Sequence, residues 1–303
     1  MEVALIVFRQ TVVMFLYMFA GYILFRTEKM TIRGSKDIAN LLVYVVIPAV
    51  IVDSFCVEYS HAKLMQLAQS AFLSALGIGT AMVIAAVIFR KHPVDNFGSA
   101  FSNAGFIGIP LVQAALGNKA VFYMVAIVAL MNMLQWSYGV KVITGERSAI
   151  GVKHLLFNPI FASIIIGLIL FLTNMGSHLP DILSSTLNGL SALNAPLAML
   201  VLGSYLAQSD IKKMLTSAHL YWVSTVRLII IPAVTLLLFS LMPLEHDIFL
   251  TAFIALSTPI GANVAVYAQL YDGDYPYACQ AVAMTTLISI ITLPLMIVAA
   301  SFV

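Results

Sequence analysis

The sequence predicts an all-α membrane protein whose ten transmembrane helices form two inverted five-helix repeats. Composition, the spacing of apolar runs and the asymmetry of basic residues carry that prediction. Of 303 residues, 61% are hydrophobic and 9% charged, against about 45–50% apolar and about 25% charged in an ordinary soluble domain. Fifteen Lys and Arg with thirteen Asp and Glu cannot coat the roughly two soluble domains that this length would otherwise form. A soluble enzyme is excluded. So is a nucleic-acid binder, because a net charge of +2 makes no basic face. High apolar content excludes disorder, leaving the lipid bilayer as the chain's expected partner and solvent.

A membrane helix needs about 20 mostly apolar residues. Apolar runs between polar punctuation fall at 4–25, 38–56, 66–89, 97–117, 120–143, 155–173, 182–207, 218–241, 248–270 and 277–302. The first opens with an acid, lacks a small-x-small cleavage site and runs too long for a signal peptide, so it is expected to be a retained span. The fourth and ninth are rich in Gly, Pro and Asn. Connections are short and leave no room for a soluble domain. Cys56 and Cys279 fall toward opposite faces and make no disulfide framework.

Basic residues concentrate on the cytoplasmic side of membrane proteins. With the first connection inside, that side holds Arg26, Lys29, Arg33, Lys36, Arg90, Lys91, Lys141, Arg147, Lys153, Lys212 and Lys213, while the outer side holds Lys63 and Lys119. Eleven against two supports ten spans with both termini outside the cytoplasm. The loop at 271–276 is the quiet inner one, with Asp272 and Asp274 and no base.

Five spans on each side of the connection at 145–151 define repeats 1–145 and 146–303, inserted with opposite orientation as in many secondary transporters. Pro48 in span two is matched by Pro196 in span seven. Spans four (SAFSNAGFIGIPLVQAALG) and nine (TAFIALSTPIGANVAVYAQLYDG) each carry a Pro, Gly and Asn interruption near the centre. Pro110 and Pro259 lack an N–H and crowd the carbonyl four residues back; Gly105, Gly108 and Gly261 weaken the helices further. Open backbone survives in a membrane only where protein or a watery cavity covers it. A half-helix restarting at mid-membrane presents free N–H groups and a positive dipole end, and two such ends form an anion site. The alternative is a plain proline kink in each span.

The run Asn103-Ala-Gly-Phe-Ile-Gly-Ile-Pro110-Leu111 resembles the fourth-helix motif of the auxin efflux carrier family, which includes plant auxin carriers and bacterial malate and malonate permeases. LSTPIGANVAVYAQLY at 256–271 is similar to the family's ninth helix, ISIITLPLMI at 288–297 to its tenth and LLVYVVIPAVIVDSF at 41–55 to its second. The resemblance covers essentially the whole chain. It implies ten helices in two inverted repeats, with the fourth and ninth unwinding and crossing at prolines at the substrate site. It also implies a scaffold of helices one, two, six and seven that can dimerise, and a rocking bundle of three to five and eight to ten. The expected activity is secondary transport of a small organic anion, a mono- or dicarboxylate, by alternating access in a bacterial inner membrane.

By the same resemblance Asn103 binds the carboxylate, its amide donating hydrogen bonds without adding charge; otherwise it only caps the broken helix. Asn263, four residues after Pro259, suits a hydrophilic ligand, and Thr258 and Ser102 add hydroxyls at the crossing. Asn132 and Gln135 in span five lie near the substrate in the family, though buried amides also lock helices together. Asp53, the one acid well within a span, is a proton-coupling candidate or a water-facing outer residue. Arg9 and Arg227 are expected to snorkel to their nearer interfaces. The six histidines show no metal-ligand spacing, so no metal or other cofactor is expected. An intramembrane enzyme lacks both H-E-x-x-H and a pair of mid-membrane acids. A channel, or a sodium symporter of the bile-acid type, remains as an alternative; spans four and nine contain no acid to hold sodium.

Overall fold

A computed structural model describes residues 2–145, 159–271 and 273–302. Arg147, Lys153, His154, Asp272 and the proposed repeat boundary after residue 145 lie outside the described residues. The described chain is helical, and its single β-type pairing is an isolated bridge between Ser102 and Ile260. The helices are α1 (Glu2–Arg26), α2 (Ile32–Ser54), α3 (His61–Ile88), α4 (Pro93–Ala100), α5 (Ala104–Leu116), α6 (Asn118–Thr144) and α7 (Pro159–Leu172). They continue with α8 (Asp181–Gln208), α9 (Ile211–Thr216), α10 (Ala218–Ser240), α11 (His246–Ser257), α12 (Asn263–Leu270) and α13 (Tyr275–Ala300).

Seven of these, α1, α2, α3, α6, α8, α10 and α13, are long and apolar enough to cross a membrane. They coincide with seven of the ten expected apolar runs. The other three runs hold shorter apolar helices, α5, α7 and α11. Helix starts lie upstream of the apolar runs where polar residues cap them. Thr31 Oγ1 accepts from Gly34 N at 3.1 Å and Ser60 Oγ from Lys63 N at 3.2 Å, which satisfies N–H groups that a helix start leaves open.

Three prolines are accommodated in one way. A five-residue π-helical turn precedes Pro48 (Leu42–Val46), Pro110 (Ala104–Gly108) and Pro232 (Val226–Ile230). The residue before each proline bonds five residues back, Ile47 to Leu42, Ile109 to Ala104 and Ile231 to Val226. The wider turn makes room for a ring that would otherwise strike the carbonyl four residues back. Each helix therefore runs on through its proline.

The helices α1, α2, α7 and α8 pack chiefly on one another, while α3, α4, α6 and α10–α13 form a second packed set. α1 and α8 touch backbone to backbone: a Cβ at Gly203 would lie 2.0 Å from Met18 O, so only glycine fits there. Large apolar side chains remain exposed on both sets, among them Leu16, Phe72, Val87, Leu237 and Ile291. Such surface suits lipid and would be an aggregation hazard in water.

Candidate functional site

Two interrupted helices build the centre of the molecule. α4 stops at Ala100, and Phe101 turns extended (φ −120, ψ 117) before Asn103 opens α5. In the second half α11 stops at Ser257. Thr258 is extended (φ −65, ψ 157), as expected for a residue that precedes proline. The two gaps pair antiparallel through Ser102 and Ile260. Asn103 N donates to Pro259 O at 2.8 Å, and Gly261 N to Phe101 O at 3.1 Å. Ile260 N donates to Thr285 Oγ1 at 3.3 Å. A Cβ at Gly261 would sit 3.0 Å from Ser102 O, so glycine permits the approach. The backbone groups that an open chain would strand in an apolar core find partners in each other.

This corrects one expectation. The fourth span does not unwind at Pro110; it unwinds at 101–103, and Pro110 sits buried within α5 behind its π-turn. In the other gap Pro259 does lie at the break.

The snorkelling expectation for Arg227 is also corrected. Arg227 is 1% exposed and reaches inward to the C-terminal ends of α4 and α11. Its Nη1 donates to Ser99 O at 3.0 Å, while Nε and Nη2 donate to Thr258 O at 3.1 and 2.9 Å. Nη2 also donates to Leu256 O. Helix C-termini carry partial negative charge and unsatisfied carbonyls, which outcompete the distant interface for this side chain. Arg9 stays exposed on α1.

The N-terminal ends of α5 and α12 instead border a cavity of about 590 Å³, within the usual range for small-molecule sites. Ser102, Asn103, Asn132, Gln135 and Asn263 all line it. Asn103 is 4% exposed and its Nδ2 has no hydrogen-bond partner. Asn263 Nδ2 donates to Gln135 Oε1 at 2.8 Å, and Asn132 Nδ2 to Val128 O of its own helix at 2.8 Å. Ser102 Oγ points toward Met131 Sδ at 3.5 Å. Pro110, Pro259 and Thr258 do not line the cavity; the Thr258 hydroxyl is turned back to Ala255 O at 2.9 Å. The cavity runs from the crossing to the ends of α2, α8 and α13 that bear Lys36, Gln208 and Tyr275. Lys36 is the single charged side chain among its described lining residues.

Asp53 stands apart. With Lys119, Asp181 and Gln113 it lines a different cavity of about 430 Å³, at the other end of α2.

Two further groupings join residues far apart in sequence. Asn194 of α8 donates to Gly105 O at 3.3 Å, tying the first packed set to the start of α5. Asp95, 2% exposed, accepts from His219 Nε2 at 2.7 Å and from the Tyr277 hydroxyl at 2.5 Å, which fastens α4, α10 and α13 at one end. With His92, this is the one group among the described residues whose three metal-capable ligand atoms lie within 4.8 Å of one another. Spacing along the chain conceals it, because His219 joins His92 and Asp95 from another helix.

The chain matches the membrane transport protein family over residues 6–297. It is 24% identical over 295 residues to a Rhizobium meliloti protein named "Putative malonate transporter", covering 90% of this chain and 89% of that one. It is 24% identical over 279 residues to an "Uncharacterized transporter" of Methanocaldococcus jannaschii, covering 86% and 88% respectively. A third, also named "Uncharacterized transporter", from Methanothermobacter thermautotrophicus, is 25% identical over 293 residues, covering 91% and 92%.

Proposed function

Because the chain belongs to the membrane transport protein family, that of the auxin efflux carriers, we propose that it is a secondary active transporter. It carries a small organic anion, a mono- or dicarboxylate, by alternating access. One observation supports this reading above all: Asn103, whose buried Nδ2 has no hydrogen-bond partner, is among the residues lining a cavity at two helix N-termini. An unmet buried donor costs about 1–3 kcal/mol, a cost removed when the Asn103 side chain turns to meet a carboxylate oxygen in the cavity. The lining offers amides and one lysine and no carboxylate among its described residues, a surface suited to an anion. Asn103, Asn263, Asn132, Gln135 and Ser102 are the proposed contacts. Pro259 shapes the gap, with Pro110 and Thr258 in supporting positions.

In the finer reading, α4 with α5 and α11 with α12 count as single broken crossings at the bilayer midplane, making ten spans in two inverted repeats. The set α1, α2, α7 and α8 acts as a scaffold and dimer surface, and the other set rocks. The cavity opens on the side of Lys36, taken as cytoplasmic by the charge rule. Both termini then lie outside, in a bacterial inner membrane. Asp53 in the opposite cavity is the proposed proton-coupling group.

A thermal-shift screen of purified protein against mono- and dicarboxylates, malonate first because a relative carries that name, tests the reading, since a specific ligand stabilises the state it binds. Stabilisation by a subset of small carboxylates, matched by their flux into proteoliposomes, is the expected result. Absence of both refutes it.

A further inference from the structure

A crossing of two broken helices brings two helix N-termini and two helix C-termini together, and the two kinds of end differ in electrical sign. The N-terminal ends of α5 and α12 border the cavity. The C-terminal ends of α4 and α11 belong to Arg227. Three carbonyl oxygens from two helices, those of Ser99, Leu256 and Thr258, converge on one guanidinium. Arg227 does not line the cavity, and no carboxylate is paired with it among the described residues. A full positive charge is therefore buried against main-chain oxygens alone.

Oxygen atoms converging from helix C-termini and unwound backbone are the ligands that broken-helix transporters offer to a co-transported sodium ion. Here the same kinds of group are taken by a cation covalently attached to α10. We propose that Arg227 is a tethered counter-cation occupying the seat of a coupling ion, so that the anion binds and crosses without sodium. The proposal rests on the transporter reading above.

Local structure explains how a span arginine reaches this place. Arg227 lies in the π-turn that precedes Pro232. One extra residue in a turn rotates the upstream face by about 100° relative to a continuous α-helix, so the proline sets where Arg227 points. Arginine is also suited by shape. Its planar fork holds separate acceptors at once, whereas lysine is a compact point charge; Nε, Nη1 and Nη2 are all used.

The test compares wild type, Arg227→Ala and Arg227→Lys as purified full-length proteins. In wild type, malonate should give the same thermal shift, at the same half-saturating concentration, in sodium chloride and in choline chloride. Arg227→Ala, with no carboxylate present, should melt several degrees higher in millimolar methylguanidinium or sodium chloride than in choline chloride; wild type should show no such gain. A tenfold or greater dependence of malonate binding on sodium in wild type overturns the proposal. So does an Arg227→Ala melt that neither cation raises. If Arg227→Ala does not fold, the wild-type sodium comparison decides. Arg227→Lys then supplies the second measurement: its tethered ammonium should keep malonate binding independent of sodium, and a tenfold or greater sodium dependence in that variant counts against the tether. Should no carboxylate stabilise wild type, the transporter reading loses its support while the cation titration of Arg227→Ala still tests the seat.

Discussion

The main-chain N–H of Asn103 donates to the carbonyl of Pro259 at 2.8 Å. A cavity-lining residue whose side-chain amide nitrogen is unpaired thus has its backbone held by the other interrupted helix. In the transport reading proposed above, a ligand held by Asn103 would bear on both interrupted helices at once.

Replacing Asn103 by Ala should separate function from folding. Its side chain makes no cap bond and its Nδ2 no bond at all. Removing it should leave the melting temperature unchanged or raise stability by about 1 kcal/mol. Carboxylate binding should fall tenfold or more in the same thermal-shift assay. Full binding by this variant would remove Asn103 from the site.

Gly261→Ala should fail for a different reason. Its Cβ would meet Ser102 O at 3.0 Å and Phe101 O at 3.4 Å, backbone atoms that cannot rotate aside. Forcing the gaps apart should cost about 1–3 kcal/mol and abolish flux, read as a lowered melt together with lost uptake in proteoliposomes.

At the far end of the bundle, Asp95→Ala should destabilise by about 1–3 kcal/mol, because the half-buried Tyr277 hydroxyl loses its acceptor and the charge-assisted bond to His219 is lost. Asp95→Asn, which retains an acceptor, should lose less. Equal melts for the two variants would show that the carboxylate does not fasten these helices.

Lys36 is exposed at the cavity mouth, where a charge recruits ions over distance without holding them. Lys36→Glu should weaken apparent affinity for a carboxylate roughly two- to tenfold at low salt, the difference shrinking as ionic strength rises. A salt-independent loss would instead place Lys36 in direct contact with the ligand.

What could be read in the sequence follows physical range. Apolar runs located the seven long helices, because length and composition are local properties. The two interruptions were legible from Pro, Gly and Asn, yet the first was misplaced by seven residues or more. Pro110 signals a break by itself, but a π-turn absorbs it, and the break falls before it at 101–103. Caps at Thr31 and Ser60 extended helices past their apolar segments. Arg227 was misread because its partners, Ser99, Leu256 and Thr258, lie on other helices; nothing in its own span marks it as inward. The Asp95, His219 and Tyr277 grouping escaped for the same reason. Of the amides, Asn103, Asn132, Gln135 and Asn263 do share a cavity, but that two of them bond each other depends on geometry between helices.

The joint between Ser102 and Ile260 is made from peptide groups, which every residue possesses. Under the proposed transport function, changes at 132, 135 and 263 would alter cargo preference while the crossing keeps its main-chain hydrogen bonds. On that reading a protein engineer would retune the lining for new acids without rebuilding the crossing itself, provided the glycine at 261 is spared.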